Sequence, residues 1–454
     1  MKISTYYLMF FISLSYSQDY DFGEINDLLD DSLAVYNGNI IVLVEQNNSR
    51  IFEYQAGYID TSSVIPIASA TKWLSGAVVL SLADEGYFFL DDTIGTYLPI
   101  FTEYGKGHIT IRQAFSMTSG LFNVEYYNTF SLDTSLTLEE SVDSIAVHIP
   151  LAYQPGNWIA YNNNGMQTVG RIAEIVTGLD WQTIAEEQIF TPCEMFNTTY
   201  DVFGVNPVIA GGAKTSPVEY MQFLQMVMND GIYNGDTVLT SQSIQELFTN
   251  QTAGLPIYWS PFPNGHPNYP YDAEDLRYGF GSWIFAENPT TGMVEEITSP
   301  GAFGSFPWAD VSRNISGIIF TFIIEGFLPT LNTNLKLIQN VREIVDSQLH
   351  TDSNSDIENM IPESFVLLPA FPNPFNPTTT LRYELPEQSH IDMVIYDIIG
   401  REVRHLVNSI QDVGYKSVVW DGKDDLGRRM GSGMYLYRIS AGEFHSVKKM
   451  VLLK

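Results

Sequence analysis

The sequence predicts an α+β fold in which a helical insert separates two parts of one antiparallel sheet, followed by a small all-β sandwich. Residues 39–58 alternate between apolar and polar or run apolar, as in strands. Helical periodicity dominates from residue 69 to about 247, and strand character returns over 278–324. A polar, acidic stretch without an apolar period then precedes a tail of short β-rich runs.

The elements of the main part follow in order. Residues 39–45 and 50–58 predict a hairpin at a sheet edge, with a polar turn between them. A closing amphipathic helix is predicted over 331–349. The later strands are predicted at 278–286, 294–298, 304–310 and 316–324. In the tail, the clearest predicted strands are 391–396, 415–420, 434–439 and 446–453, separated by Gly and Asp turns.

The first residues have the pattern of a secretory signal. Residues 1–17 combine a charged start at Lys2, an apolar core over 6–14 and small residues at the cleavage subsites. The alternative, a membrane anchor, needs roughly 20 apolar residues, which this run does not reach. We therefore expect an exported, soluble mature protein. Cys193 is the only cysteine, which excludes an intramolecular disulfide and suits a packed apolar position.

Charge is distributed unevenly. Residues 1–350 hold 11 Lys and Arg against 39 Asp and Glu, a net charge of −28, whereas residues 351–454 carry only −3. Nucleic acids and anionic membranes bind basic patches, so the acidity of the main part argues against both as partners. Aromatic residues make up 13% of the chain and charged residues only 17%, which favours packed cores over disorder.

Two short motifs carry candidate chemistry. Ser69 stands three residues before Lys72 at the start of an apolar run, so both side chains share one helical face. A lysine there can take the serine proton and make a nucleophile without histidine. Tyr161 and Asn163 follow Pro155-Gly156 at a fixed spacing. Alone, Ser69 could be a helix cap and Tyr161 a core tyrosine.

With these motifs, the chain from about 39 to 325 resembles the serine β-lactamase and penicillin-binding protein superfamily, on its class C β-lactamase and esterase branch. The resemblance is carried by the nucleophile helix and loop at 67–101, by ITIRQAFSMTSGL at 109–121, and by the segments 153–199 and 211–230. It implies a β-lactamase-like sheet flanked by helices.

The resemblance also implies roles for particular residues. Ser69 would be the nucleophile, Lys72 would share its proton, and Tyr161 would act as general base in acylation and as acid toward the leaving group. Asn163 would contact Lys72 and the substrate carbonyl. The third motif is Ser299-Pro300-Gly301-Ala302, in which Gly301 permits close approach and the Ala302 N–H joins that of Ser69 as an oxyanion hole. Ser299 lacks the positive charge by which β-lactamases hold a carboxylate.

Other catalytic patterns are absent from the sequence. The seven histidines show no metal-binding spacing, and there is neither a Gly-x-Ser-x-Gly elbow nor a phosphate-binding glycine loop. We therefore expect no metal and no cofactor. Two aromatic segments, 121–130 and 253–277, are candidates for shaping an acyl pocket, with surface packing as the alternative.

The tail resembles the C-terminal sorting domains of type IX secretion cargo. The resemblance depends on the Pro-Asn-Pro-Phe-Asn-Pro start at 372–377, on 395–397 with 400–403, on 432–435 and on the ending at 448–451. It implies the secretion machinery as a partner. The alternative is a passive immunoglobulin-like spacer.

The predicted organisation is a signal peptide at 1–17, a hydrolase domain at 18–350, a linker at 351–365 and a β-sandwich sorting domain at 366–454. We expect a monomeric, secreted or surface-exposed serine hydrolase that acts on small esters, amides or peptides through an acyl-enzyme. The first alternative is a true β-lactamase or D-alanyl-D-alanine carboxypeptidase. The second is a non-catalytic binding protein that keeps the fold.

Overall fold

The computed structural model describes residues 20–355 and 362–453, apart from 203, 263–275, 289–291, 325, 363, 369, 371–372, 374, 376 and 443. The predicted signal at 1–17 lies outside the described residues. The described chain divides into two compact units. The first comprises residues up to 239 together with 247–345, and the second comprises 240–246 and 346–453.

The helices of the described chain are mostly short. They are α1 Gly23–Asp31, α2 Thr71–Asp84, α3 Ile94–Tyr97, α4 Pro99–Glu103, α5 Ile111–Phe115, α6 Leu138–His148, α7 Asn164–Thr177, α8 Trp181–Ala185, α9 Pro217–Met228, α10 Ser241–Leu247 and α11 Phe327–Ser355. Short 3-10 turns lie at Leu33–Tyr36 and Ala68–Ala70, and a π-turn, Glu186–Phe190, extends α8. None of these helices is long and apolar enough to cross a bilayer.

The strands group into one large sheet, two smaller sheets and three short pairs. They are β1 Ile40–Gln46, β2 Ser49–Ala56, β3 Ile65–Pro66, β4 Ile159–Ala160, β5 Lys214–Thr215, β6 Ile232–Tyr233, β7 Asp236–Thr237, β8 Ile257–Trp259, β9 Arg277–Tyr278, β10 Trp283–Glu287, β11 Val294–Thr298, β12 Phe306–Asp310, β13 Ile315–Phe320, β14 Val366–Leu367, β15 Thr379–Leu385, β16 Ser389–Asp397, β17 Glu402–Gln411, β18 Gly414–Trp420, β19 Gly433–Ala441 and β20 Phe444–Leu452.

The large sheet confirms the predicted fold class. Its seven strands are antiparallel in the order β2-β1-β13-β12-β11-β10-β9, so the N-terminal hairpin forms one edge and the helical insert lies between β2 and β9 in sequence. The single strand predicted over 278–286 is instead two, β9 and β10. A tight turn divides them, because Gly281 has φ = 90° and the Gly279 N–H donates to the Ser282 carbonyl.

Helix α2 forms the centre of the first unit. Every residue from Thr71 to Leu82 is buried, so the helix is surrounded by protein on all sides rather than amphipathic. Glycine permits this close packing at two positions. A Cβ on Gly76 would meet the Phe280 carbonyl oxygen at 2.8 Å, and one on Gly281 would meet the Lys72 carbonyl oxygen at 2.5 Å. The sheet is therefore held directly against the first turns of α2.

Helix α11 is longer than predicted at both ends. Its apolar face is buried at Leu331, Leu335, Ile338, Val341 and Val345, spaced three or four residues apart. The predicted linker at 351–365 begins inside this helix, which continues to Ser355; residues 356–361 lie outside the described ones. A polar segment without Pro or Gly can extend an existing helix, because propagation adds a hydrogen bond for each residue.

The second unit contains the predicted β-sandwich. A three-stranded sheet, β14-β15-β18, and a four-stranded sheet, β17-β16-β19-β20, enclose one apolar core that includes Phe375, Trp420 and Tyr437. The four predicted tail strands correspond to β16, β18, β19 and β20. Strands β14, β15 and β17 were not predicted. In β17 the side chains are mostly exposed or half-buried, so its sequence lacks an apolar period.

Candidate active site

Ser69 lies in the 3-10 turn that leads into α2, with its side chain partly exposed. The residue before it, Ala68, is in the left-handed region with φ = 46°, which is a strained conformation for a residue with a Cβ. Neighbouring hydrogen bonds hold this turn in place. The Tyr220 hydroxyl donates to the Ala70 carbonyl at 2.8 Å, and the Ile67 N–H donates to the Ala213 carbonyl. The serine is thus presented at a helix N-terminus on a rigid support.

Lys72 is fully buried, and its three partners are neutral. Its Nζ lies 3.1 Å from Ser69 Oγ, 3.1 Å from Asn163 Oδ1 and 2.8 Å from the Ala210 carbonyl oxygen. No carboxylate is among these partners to stabilise an ammonium. Burial therefore lowers the pKa of Lys72 to about 7. A substantial fraction of neutral amine is available near neutral pH to accept a proton from Ser69.

The Ala210 carbonyl was not recognisable from the sequence, since any residue can supply a backbone oxygen. The loop that carries it is anchored to two helices. The Ser75 hydroxyl on α2 donates to the Ile209 carbonyl, and the Ile209 N–H donates to Gln167 Oε1 on α7. The Ala210 carbonyl, the third partner of Lys72, is therefore held in place by contacts of its loop with α2 and α7.

The ring of Tyr161 lies against the amine of Lys72. The Lys72 Nζ lies 4.7 Å from the centroid of the tyrosine ring, and the ring stacks on Trp283 at 5.0 Å. Its backbone is fixed by the parallel pair β4 and β8, where the Tyr161 N–H donates to the Trp259 carbonyl at 3.1 Å. Burial raises the pKa of Tyr161, partly offset by a hydrogen bond with Ser69, so the neutral phenol is the favoured form.

Asn163 immediately precedes α7, and its side-chain oxygen accepts from Lys72 Nζ. Its own N–H donates to Asn128 Oδ1 at 2.8 Å, and Asn128 is buried with φ = 55°. Sequence reasoning missed Asn128 as a site residue; asparagine tolerates the left-handed region, which is a weak signal for such a position. Asn162, between Tyr161 and Asn163, only closes the local turn by accepting from the Asn164 N–H and donating to the Ala160 carbonyl.

The third motif lies against the nucleophile turn. The Ser299 hydroxyl donates to the Ser69 carbonyl at 3.0 Å and makes a longer contact, 3.4 Å, with the Gly281 carbonyl. A Cβ on Gly301 would meet the Ile67 carbonyl oxygen at 2.2 Å, so only glycine fits there. Ala302 is exposed just beyond this contact. The buried Ser299 side chain is engaged by backbone carbonyls, and its predicted place at the substrate site stays a prediction.

The remaining predicted features are located as follows. Phe122 and Tyr127 of the segment 121–130 pack against Trp259 of the segment 253–277, whereas residues 263–275 lie outside the described ones. Cys193 is buried, and burial raises the pKa of its thiol to about 12, which leaves it unreactive near neutral pH. Within the described chain, no group of three or more His, Cys, Asp and Glu side chains could hold a metal ion.

Comparisons with known proteins identify similar sequences and similar folds. Penicillin-binding protein 4 of Amycolatopsis lactamdurans is 24% identical over 303 residues, which cover 57% of this chain and 78% of that protein. A crystal structure of a putative beta-lactamase from Bacteroides dorei has a similar fold, with a TM-score of 0.61 at 24% identity over 72% of this chain and 99% of the other. A D-amino acid amidase from Ochrobactrum anthropi has a TM-score of 0.53 at 18% identity over 70% and 99%.

Two family models match the chain in separate regions. The FlgD Ig-like domain model matches residues 375–443, in the β-sandwich of the second unit. The beta-lactamase model matches residues 32–321, which is more than half of the chain and includes Ser69, Lys72, Tyr161 and Asn163. The chain therefore belongs to the beta-lactamase family of serine hydrolases.

Proposed function

We propose that the first unit is a serine hydrolase that cleaves small esters or amides through an acyl-enzyme on Ser69. The observation that carries this proposal is the contact between Lys72 Nζ and Ser69 Oγ at 3.1 Å. The lysine is buried among neutral partners, so its amine can accept the serine proton as Ser69 Oγ attacks a carbonyl carbon.

Tyr161 and Lys72 then divide the proton transfers between them. Their environments move the two pKa values apart, because burial lowers the pKa of Lys72 to about 7 and raises the pKa of Tyr161. In this proposal the amine is the base and the phenol a hydrogen-bond donor, which differs from the general-base role that the resemblance implies for Tyr161. Lys72 takes the proton from Ser69 and returns it, directly or through the Tyr161 hydroxyl, to the leaving-group oxygen or nitrogen. A water molecule later attacks the acyl-enzyme. Lys72, directly or through Tyr161, then takes a proton from this water and returns it to Ser69 Oγ.

The N–H groups of Ser69 and Ala302 are our candidates for the oxyanion hole. The geometry that supports this proposal is the close approach of the Gly301 backbone to Ile67, which brings the segment 299–302 alongside the nucleophile turn. Ala302 is exposed at the end of that segment and can meet a substrate oxygen. Removing one such donor in an acyl-transfer enzyme typically costs about 10²–10³ in kcat.

Esters and neutral amides are the substrates that the site supports best. The names of similar proteins include a penicillin-binding protein and a D-amino acid amidase, both consistent with acyl transfer. Efficient recognition of a substrate carboxylate requires a positive charge near the third motif, and Ser299 supplies none. A true β-lactamase or D-alanyl-D-alanine carboxypeptidase is therefore the less favoured reading.

A fluorophosphonate probe tests the proposal directly. The full-length protein should be labelled at Ser69, the Ser69→Ala variant should not, and Ser62→Ala, which removes an exposed serine seven residues earlier, should label like the wild type. A non-catalytic binding protein need not label, so absence of labelling would remove the hydrolase proposal. A panel of p-nitrophenyl esters, a chromogenic cephalosporin and D-amino-acid amides then distinguishes esterase, β-lactamase and peptidase activity.

We also propose that the protein is exported and that residues 366–454 act as a sorting domain recognised by a secretion machine. Support comes from the signal-like pattern at 1–17 and from the tail motifs, which resemble those of type IX cargo. The second unit has its own apolar core, which suits an independently recognised module. A passive immunoglobulin-like spacer is the alternative, and the match to the FlgD Ig-like domain is compatible with either.

A further inference from the structure

Aromatic side chains of the first unit form one connected cluster beside Tyr161. Neighbouring ring centroids in it are between 4.5 and 6.2 Å apart, the spacing of favourable ring contacts. The members of this aromatic cluster are Phe122, Tyr127, Tyr153, Trp158, Tyr258 and Trp259. They come from three separate segments of the chain, so the cluster exists only in the folded protein.

The aromatic cluster is connected to the candidate catalytic residues by hydrogen bonds from their backbone N–H groups. The Trp259 carbonyl accepts from the Tyr161 N–H at 3.1 Å. Asn128, which follows Tyr127, accepts from the Asn163 N–H at 2.8 Å. The hydroxyl of Tyr127 is also near enough to contribute to the raised pKa of Tyr161. Trp259 and the residue that follows Tyr127 are therefore held against Tyr161 and Asn163.

Part of the aromatic cluster is exposed. Phe122 is buried and forms its base, whereas Tyr127 and Trp259 are partly exposed, and Tyr258 and Trp158 keep 50% and 39% of their surface exposed. Aromatic side chains with a few polar groups nearby are the usual lining of a small-molecule pocket, and here the rings lie next to Tyr161. All six side chains are uncharged, so the surface favours a neutral, flat group over a charged one.

We infer that the aromatic cluster is a subsite for the aryl-bearing leaving group of a neutral ester or amide, an inference that rests on the acyl-enzyme function proposed above. In the acylation step, the Ser69 Oγ–carbonyl carbon bond forms and the bond to the leaving oxygen or nitrogen breaks. The proton from Ser69 passes through Lys72 to that leaving atom. The leaving atom must therefore lie within hydrogen-bond reach of Lys72 or Tyr161, and its substituent extends toward the rings beside Tyr161.

Two matched pairs of esters test the subsite with the full-length protein. The first pair is 2-phenylethyl acetate and 2-cyclohexylethyl acetate, which share the acyl group and have alcohols of nearly equal acidity. The second pair, ethyl 3-phenylpropanoate and ethyl 3-cyclohexylpropanoate, places the ring on the acyl side. Cyclohexyl buries at least as much apolar surface as phenyl, so burial alone does not favour the aryl ester. Ring contacts should raise kcat/KM for the phenyl ester about two- to tenfold in the first pair only.

Substitutions of ring residues provide the second arm of the test. Tyr258→Leu, at a half-exposed position that tolerates change, and Trp259→Leu should both reduce the phenyl preference toward one. Phe89→Leu, which alters an aromatic side chain that is 74% exposed and outside the cluster, should leave the preference unchanged.

The outcomes separate this inference from the proposed function. A protein that is labelled at Ser69 by fluorophosphonate but shows no phenyl preference overturns the aryl subsite alone. A preference confined to the acyl pair overturns its assignment to the leaving group, and so does a preference that survives both leucine variants. If Ser69 is not labelled and neither pair is hydrolysed, the proposed function itself fails.

Discussion

Asn128 and Asn163 are joined by a buried hydrogen bond in which the Asn163 N–H donates to Asn128 Oδ1 at 2.8 Å. Asn163 in turn accepts from Lys72 Nζ at 3.1 Å. Asn128 therefore acts on the lysine through another residue, as a positioning residue. Its left-handed backbone, φ = 55°, allows the side chain to reach back to the start of α7.

Replacing Asn128 should lower kcat without unfolding the protein. Asn128→Gly keeps a residue that tolerates positive φ but leaves the Asn163 N–H without its acceptor, which costs about 1–3 kcal/mol for a buried donor. We expect kcat to fall about tenfold or more, with KM little changed. Asn128→Asp retains an acceptor oxygen, so at alkaline pH this variant should have a higher kcat than Asn128→Gly. Equal kcat in the wild type and Asn128→Gly would exclude the positioning role.

The pH dependence of hydrolysis should report the titration of Lys72. Because burial lowers its pKa to about 7, the amine is protonated and unable to accept the serine proton below that pH. We expect kcat/KM to rise with pH up to about 7 and then to level off. Asn163→Asp places a carboxylate beside the ammonium and should move this rise to higher pH by about 1–3 units. A rise at an unchanged pH in that variant would assign the titration to another group.

Ser299 should stabilise the nucleophile turn rather than select substrates by charge. Its hydroxyl donates to the Ser69 carbonyl, and a hydrogen bond of this kind is worth about 1 kcal/mol. Ser299→Ala should therefore lower kcat for neutral esters and for cephalosporins by similar factors. Ser299→Thr keeps the hydroxyl and serves as the control. If Ser299→Ala instead changes the ratio of the two activities by about tenfold, the side chain contacts the substrate after all.

Lys106 should matter for stability and not for chemistry. Its buried ammonium donates to the carbonyls of Ile145, Ala146 and Ile149 at the C-terminal end of α6, where unpaired carbonyls favour a cation. Lys106→Met should lower the free energy of unfolding by about 3 kcal/mol, because several buried acceptors lose their donor. Lys336→Met, at an exposed position, should change it by less than about 0.5 kcal/mol. Urea denaturation of both variants measures the difference, and equal stability would contradict this role.

Deleting residues 362–454 should leave catalysis intact and change where the protein accumulates. The first unit has its own sheet and core, so kcat/KM of the purified truncated protein should stay within about twofold of the full-length value. In a host with the matching secretion machine, the truncated protein should remain in the periplasm while the full-length chain reaches the surface or medium. Cell fractionation with an ester assay on each fraction decides this. Export of the truncated form would reject the sorting role.

Local patterns were sufficient to predict much of the architecture. Strand β11 matches its predicted bounds, and the hairpin of β1 and β2 lies at the predicted edge, because alternation of apolar and polar residues depends on neighbours along the chain. The same patterns could not reveal the exposed strand β17 or the division between β9 and β10. Packing against neighbouring strands determines β17, and the left-handed conformation of Gly281 determines the division between β9 and β10.

For the candidate site, the sequence by itself was enough to name the candidate side chains: Ser69 and Lys72 share a helical face through their spacing, and Tyr161 and Asn163 belong to a recognisable motif. Only the tertiary structure decided their surroundings. The Ala210 carbonyl, the Asn128 side chain and the aromatic cluster reach the site from segments far apart in the chain. Burial sets the pKa of Lys72, and long-range hydrogen bonds set the positions of its partners. Neither can be read from residue spacing, because both depend on what the fold places around each group.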